Sequence, residues 1–457
     1  MDRYDVVILG SGQAAKPLAL AFAEAGRRTA LVERAWIGGT CVNTGCTPTK
    51  TMVASARVAY LARRAADYGV HAADVSVDMA RVRERTRRII RDFRESSQAT
   101  LAAQPTIDLV FGAAHFVGPK TVEVALTRGG VRRFSGDVVI IDTGARTRAP
   151  ALAGLDRVPW LDHAAMLELG VLPDHLLVLG GGYIGLEFAQ MFRRFGSRVT
   201  VVQRHPQLLP REDEDVATAL RDILAAEGVE ILLSAEARQV VPDSGGLRLV
   251  CDTAAGERAL AGSHLLVAAG RTPNTDALNL AATGVAVDAR GHVQVDEWLE
   301  TTAPGIFAVG DVKGGPAFTH ISYDDHRILR ANLLHGEHAS TRGRIVPYVV
   351  FTDPELARVG LSEGEARRQG RNFRIARVAM NRVARALEMD EAHGFIKVVI
   401  DGDSDQILGA TILGVEAGEL MSAIEVAMMG QLPSAALRDG VFAHPTLAES
   451  LNTVMSS

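Results

Sequence analysis

The chain has 457 residues, 47% hydrophobic and 23% charged, a balance that excludes wholesale disorder. With 49 Lys+Arg against 54 Asp+Glu its formal charge is −5, so neither nucleic acid nor an anionic membrane is an expected partner. Only three cysteines occur and no apolar run reaches about 18 residues, which excludes a disulfide scaffold and a spanning helix, and at about 150 residues per domain the length suggests about three domains.

Residues 4–9 (YDVVIL) read as a strand with no basic leader before them, so a cytoplasmic location is expected. A helical pattern over residues 14–25 and the strand-like Thr29–Glu33 complete a strand–glycine turn–helix–strand unit. In the turn, Gly10-Ser-Gly12-Gln-Ala-Ala15 offers one glycine for the tight bend, a second for close approach of a pyrophosphate, and a small third residue. The helix N-terminus presents N–H groups and partial positive charge to phosphates. Glu33, 18 residues after Ala15, stands where a carboxylate binds ribose hydroxyls.

The next segment, GGTCVNTGCTPTK, places Cys41 and Cys46 five apart at the predicted start of a helix. Pro48 suits a first helical turn. A helix N-terminus lowers a thiol pKa, and the thiolate is the species that exchanges with disulfides. Lys50, one turn beyond Cys46, adds positive charge. By spacing alone the pair is equally a coincidence or half a metal site, but no further Cys/His cluster accompanies it, so no metal is expected. Residues 51–103 read as long helices. Seven arginines within 81–94, interleaved with Glu84 and Asp92, read as a solvated face rather than a nucleic-acid patch. Residues 107–142 read as short strands.

About 170 residues after the first unit, residues 176–204 repeat its grammar, with the full fingerprint Gly180-Gly-Gly182-Tyr183-Ile184-Gly185. The second strand ends in Gln203-Arg204, 19 residues after Gly185, without a carboxylate. Arg204, helped by His205 and Arg211, suits a 2′-phosphate, so NADPH is expected over NADH. Cys251, in LRLVCD, reads as an ordinary buried thiol. Residues 273–343 hold another glycine-rich stretch, APGIFAVGDVKGG. From about residue 344, strands (346–351, 373–380, 395–400, 407–413) mix with helices (416–430, 446–454), which suggests a separate α+β domain. His444 alone reads as a loop residue before Pro445.

End to end, these segments resemble the flavoprotein disulfide reductases of the pyridine nucleotide-disulfide oxidoreductase class, which includes glutathione reductase, lipoamide dehydrogenase and mercuric reductase. GGTCVNTGCTPTK carries the resemblance most specifically. TTAPGIFAVGDV resembles the second FAD motif, VIIDTGA (139–145) and LLVAAGRTPNTD (265–276) the chain-crossing segments, and HPTLAES (444–450) the C-terminal catalytic motif. TPTKTMVASAR and FTHISYDDHRIL are similar to the mercuric-reductase-like and RclA-like branch.

The resemblance implies an α/β fold with two Rossmann-like dinucleotide-binding domains and a C-terminal α+β dimerisation domain. It places FAD binding in residues 1–150 and 273–343, NAD(P)H binding in 151–272 and dimerisation in 344–457. FAD would meet Gly10, Gly12, Ala15, Glu33, Gly39, Thr40, Lys50, Ala114, Thr143, Gly144, Asp311 (ribityl chain), Thr319 and His320 (pyrimidine edge). NADPH would meet Gly180, Gly182, Tyr183, Ile184, Gly185, Glu187, Arg204, His205, Arg211 and Gly270, with Tyr183 gating the nicotinamide pocket. Cys41 would be the interchange thiol, Cys46 the charge-transfer thiol, and Lys50 would pair with Glu187 near flavin N5. His444, oriented by Glu449 and preceding a cis proline, would be the acid/base reaching the other subunit's Cys41, which requires a homodimer. The implied activity passes electrons from NADPH through FAD to a Cys41–Cys46 disulfide and on to a small-molecule disulfide or thiol-reactive oxidant. Alternatives are a Hg(II), Cu(II) or quinone reductase, or a non-enzymatic flavin redox sensor. The closing NTVMSS lacks the cysteine pair with which mercuric reductase passes Hg(II) inward, and Arg327, at a glutathione-contacting position, sits in an unmatched DDH setting.

Overall fold

The opening apolar run becomes the strand Asp2–Leu9 in the computed structural model, which describes residues 1–457. It lies between two parallel neighbours, Thr29–Glu33 and Val131–Ile141. Ile107–Gly118 lies beyond the first and Ile306–Ala308 beyond the second. Strands covered on both faces read as unbroken apolar runs, which is why this core was legible. The two-residue period sends Val6 and Ile8 to one face, against Leu18 and Phe22 of the helix Ala15–Glu24. Val7 and Leu9 go to the other, with Phe116 and Phe134. The strands expected over 107–142 are not all short: Ile107–Gly118 has 12 residues and Val131–Ile141 has 11. Both run past the parallel sheet and pair there with Thr121–Leu126 as an antiparallel meander.

The chain divides into two units. One comprises Met1–Met52, Ala80–Arg148 and Gly270–Arg344, the other Val53–Met79, Ala149–Ala269 and Ile345–Ser457. The region 51–103 holds the helices Cys46–Arg63 and Met79–Ala102, with no regular structure over 71–78. The first of these begins in the first unit, and its residues from Val53 onward count to the second.

In the second unit a four-stranded parallel sheet has the order His264–Val267, His175–Leu179, Arg198–Val202, Val229–Leu232. The helix Tyr183–Phe195 buries Leu186, Phe188 and Phe192. A three-stranded antiparallel sheet (Glu236–Asp243, Gly246–Thr253, Gly256–Gly262) follows, and Cys251 is fully buried in it. Residues 345–457 form a five-stranded antiparallel sheet covered by the helix Ala417–Met429. One of its inner strands, Glu355–Gly360, was not expected, while the strand expected over 346–351 shrinks to Tyr348–Val350. The helix expected over 446–454 is Ser450–Met455, because Thr446–Glu449 is a turn held by the Thr446 hydroxyl. No helix is long and apolar enough to cross a membrane.

Candidate functional site

The first glycine turn is built against Asp142. At Gly10 (φ +97°) an added Cβ would lie 2.3 Å from the Asp142 carbonyl oxygen, and at Gly12 it would lie 2.7 Å from the Asp142 carboxylate. The Ala15 N–H donates to Asp142 Oδ2 at 3.0 Å. Burial pushes the Asp142 carboxyl well above its ordinary range, the Ala15 N–H opposes this, and Asp311, Asp325 and Glu33 add to it. Glu33 is buried: its Oε2 accepts from Ser11 N (3.0 Å) and Ser11 Oγ (2.6 Å), and its Oε1 from Ala35 N (2.8 Å). A bare glycine backbone at the strand end with a carboxylate beside it fits the nucleotide half of a dinucleotide such as FAD. Asp311 pairs with Arg271 (3.2 Å). Thr143 Oγ1 donates to the Asn274 carbonyl and Asn274 N to that of Gly144, both at 2.9 Å. Ala114 is half-buried in Ile107–Gly118.

The redox segment rests on this turn. Gly39 (φ +59°) approaches so closely that a Cβ there would be 3.0 Å from Gly12 Cα. Gln13 Nε2 donates to the Gly38 carbonyl (2.9 Å), and the short helix Gly39–Asn43 carries Thr40 and Cys41. Asn43 Nδ2 donates to the carbonyls of Ile37 (3.0 Å) and Gly39 (2.8 Å). Arg94 Nε donates to Asn43 Oδ1 at 2.8 Å, and the Arg94 guanidinium lies 4.0 Å from the Trp36 ring centroid. Arg85 Nη1 donates to the Thr51 carbonyl (2.8 Å), so two of the seven arginines read as a solvated face instead brace this segment.

Cys46 opens the helix Cys46–Arg63, with its sulfur 3.3 Å from the hydroxyl of Thr319, itself the first residue of the helix Thr319–His335. The His320 ring stacks on Phe318 (5.3 Å, 10°). Both cysteines are free thiols. Their mutual hydrogen bond and then burial push the Cys41 thiol far up, while Thr319 and Lys50 pull the other way. The lowering expected for a thiol at a helix start is opposed at Cys41 by its neighbour Cys46. Only Cys46 occupies the mouth of a long helix; Cys41, five residues earlier, lies in the short helix Gly39–Asn43, where Cys46 opposes its ionisation.

The second glycine turn shows three distinct roles. At Gly180 (φ +120°) a Cβ would lie 2.5 Å from the Ala268 carbonyl oxygen, and at Gly185 it would lie 2.1 Å from that of Gly180. At Gly182 it would meet nothing within 4 Å, leaving room for a pyrophosphate. Ile184 is half-buried beside it. The Tyr183 ring lies 6.2 Å from that of Tyr348, whose hydroxyl donates to Glu212. Glu187 is buried and its Oε1 accepts from Phe351 N (2.9 Å). Arg204 and His205 are exposed and line a pocket with Ser234, Glu236, Asp252 and Thr253. Arg211 does not line it; its carbonyl accepts from Arg358 (3.1 Å). Gly270 counts to the first unit, where its carbonyl accepts from Arg148 N (3.0 Å). Lys50 likewise belongs to the first unit and Glu187 to the second.

In the second unit, His444 Nδ1 donates to Glu449 Oε2 at 2.8 Å, which fixes Nε2 as the basic nitrogen of the neutral ring. His444 is exposed, and the His444–Pro445 and Asp353–Pro354 bonds are cis. The sequence reading missed Asp142, the Arg94–Asn43 brace and the Tyr348–Glu212 bond. Only Asp142 left a local signal, a carboxylate ending the apolar run VVII.

The pyridine nucleotide-disulphide oxidoreductase model matches residues 4–325, and the dimerisation-domain model of the same family matches residues 346–455. The probable pyridine nucleotide-disulfide oxidoreductase RclA of Escherichia coli is 38% identical over 460 residues, 100% of this chain and 99% of that one. Mercuric reductase of Streptomyces lividans is 34% identical over 98% of this chain and 94% of its own. Among solved structures, the HOCl-induced flavoprotein disulfide reductase RclA from E. coli superposes with a TM-score of 0.91 at 38% identity, covering 99% of each chain. A Cu(II) complex of that protein gives 0.91 at 37%, covering 100% of this chain and 99% of the other.

Proposed function

The chain belongs to the pyridine nucleotide-disulphide oxidoreductase family, and from that premise we propose that it uses NADPH to reduce a disulfide or another thiol-reactive oxidant through Cys41 and Cys46. It is an enzyme of this class, whose members use FAD and NAD(P)H, and it carries the family's dimerisation domain. When bound, FAD supplies the two-electron relay from a reduced nicotinamide to a disulfide. Segments 1–150 and 273–343 hold it by Gly10, Gly12, Ala15 and Glu33. Segment 151–272 takes the nicotinamide nucleotide through the Gly180–Gly185 turn, and 344–457 pairs two copies.

The chain's own groups divide the work. Cys46 opposes the ionisation of Cys41, so a base assists its attack. His444, held through Nδ1 by Glu449, is that base, contributed by the second copy of a homodimer. The Cys41 thiolate attacks one sulfur of the acceptor, the acceptor's S–S bond breaks, and His444 returns the proton to the leaving thiolate. The Cys46 thiolate then attacks Cys41, leaving a Cys41–Cys46 disulfide and expelling the second thiolate, which takes a proton from solvent. Two electrons and one proton restore the Cys41 thiol and the Cys46 thiolate.

One observation carries this reading: a hydrogen-bonded thiol pair seated, through the Gly39–Gly12 contact, on a dinucleotide turn. The test is NADPH oxidation by the yellow holoprotein with glutathione disulfide, lipoamide, Hg(II), Cu(II) or quinones, each repeated with Cys41→Ser. Disulfide reduction that survives the substitution overturns it. A second reading, metal-ion reduction by the same thiols, is favoured by the mercuric reductase relatives and by the Cu(II) complex of the E. coli protein. Turnover with Hg(II) or Cu(II) and none with any disulfide would select it.

A further inference from the structure

The pocket that receives Arg204 and His205 is also lined by Glu236 and Asp252. These two carboxylates are direct partners across the strands Glu236–Asp243 and Gly246–Thr253, a pairing of like charges that is unfavourable by itself. With His205 neutral, the four groups sum to 1 − 2 = −1, the wrong sign for a phosphate dianion.

Arg238 changes that sum. Its Nε donates to Asp252 Oδ2 at 2.5 Å, and its Nη2 lies 3.5 Å from Glu236 Oε2. The same contacts hold its guanidinium above the ordinary arginine pKa, so it stays charged. The register shows how it reaches both. Ala237 pairs with Cys251 and Gln239 with Val250, so Arg238 is an extra residue with no partner opposite. Such a bulge re-aims a side chain that regular alternation would direct elsewhere.

We propose that Arg238 is a specificity-determining residue: by neutralising Glu236 and Asp252 it lets the Arg204–His205 pocket accept the 2′-phosphate of NADPH. The inference rests on the NADPH reading above. Arg238 is a positioning and screening residue and needs no contact with the nucleotide.

The test titrates the FAD-loaded protein calorimetrically with adenosine 2′,5′-bisphosphate and with 5′-AMP, which separates binding from turnover. Arg238→Gln should weaken the bisphosphate about five- to tenfold and AMP less than about twofold, as expected for loss of one charge at a partly exposed site. Adding Glu236→Gln and Asp252→Asn to Arg238→Gln should restore the bisphosphate affinity, which a merely structural role would not do. A wild-type protein that binds both nucleotides equally overturns the NADPH reading. A wild-type protein that prefers the bisphosphate, with an Arg238→Gln variant that prefers it just as much, overturns the role of Arg238 alone. Equal weakening of both nucleotides by Arg238→Gln also overturns it.

Discussion

The two glycine turns share one grammar and differ in what stands behind them. Behind Gly12 lies the buried carboxyl of Asp142, and the second strand of that unit ends in Glu33, itself held by Ser11 and Ala35. Behind Gly182 there is open space, and the corresponding strand ends beside the exposed Arg204. The first turn packs its middle glycine against that carboxyl and braces a thiol pair; the second leaves its middle glycine open, near an exposed arginine. A locked site suits a cofactor that stays, and an open one suits a nucleotide that exchanges each turnover.

The largest expected effect lies at the thiols that only the first turn carries. Cys46→Ser should lower disulfide reduction by about a thousandfold or more and abolish the long-wavelength thiolate–flavin absorbance of the reduced protein. A surviving band would mean the first turn has no special partner, and the contrast would fail. Next, His444→Gln should cost about a hundredfold in kcat/KM for a disulfide while leaving nucleotide affinity at both turns unchanged. Matching alanine substitutions compare the turns directly. Gly12→Ala meets a carboxylate and should destabilise the fold by about 1–3 kcal/mol in denaturant melts, whereas Gly182→Ala should leave stability intact and raise the KM for NADPH. Equal melting of the two variants would erase the distinction.

The smallest effect concerns pH. The Asp142 carboxyl titrates above 3.8 in the fold, so the native state keeps a proton that the unfolded chain has already lost. Its contribution is therefore fully present below that pH and declines, by up to about 1.4 kcal/mol per pH unit, as pH rises toward the native value. Asp142→Asn should remove that slope. Melting curves of both proteins across acidic pH give the difference, and parallel curves would place a charged carboxylate behind Gly12.

The elements that position the site were largely legible because their signals are local. Thr29–Glu33 is a buried run of five residues read directly from TALVE, and both fingerprints announce themselves by glycine spacing. What stayed hidden depends on distant partners. Arg94 meets Asn43 across 51 residues, and nothing in its helical neighbourhood separates it from the solvated arginines around it. Glu355–Gly360 is short and follows a proline, so its place inside the sheet comes from pairing with Ile407–Gly414. The rise at Cys41 could not be read from helix position, since it comes from Cys46 hydrogen-bonding to it.

The stack of Arg94 on Trp36 has an optical consequence. Indole emission responds to a cation held against the ring, and this cation also grips Asn43, two residues from Cys41. The chain has three tryptophans, and Trp36 is tied in this way to the short helix that bears Cys41. A change at the sulfur pair that shifted Asn43 would alter the cation on this indole, so Trp36 fluorescence followed during oxidation and reduction tests whether the helix responds, without any added dye.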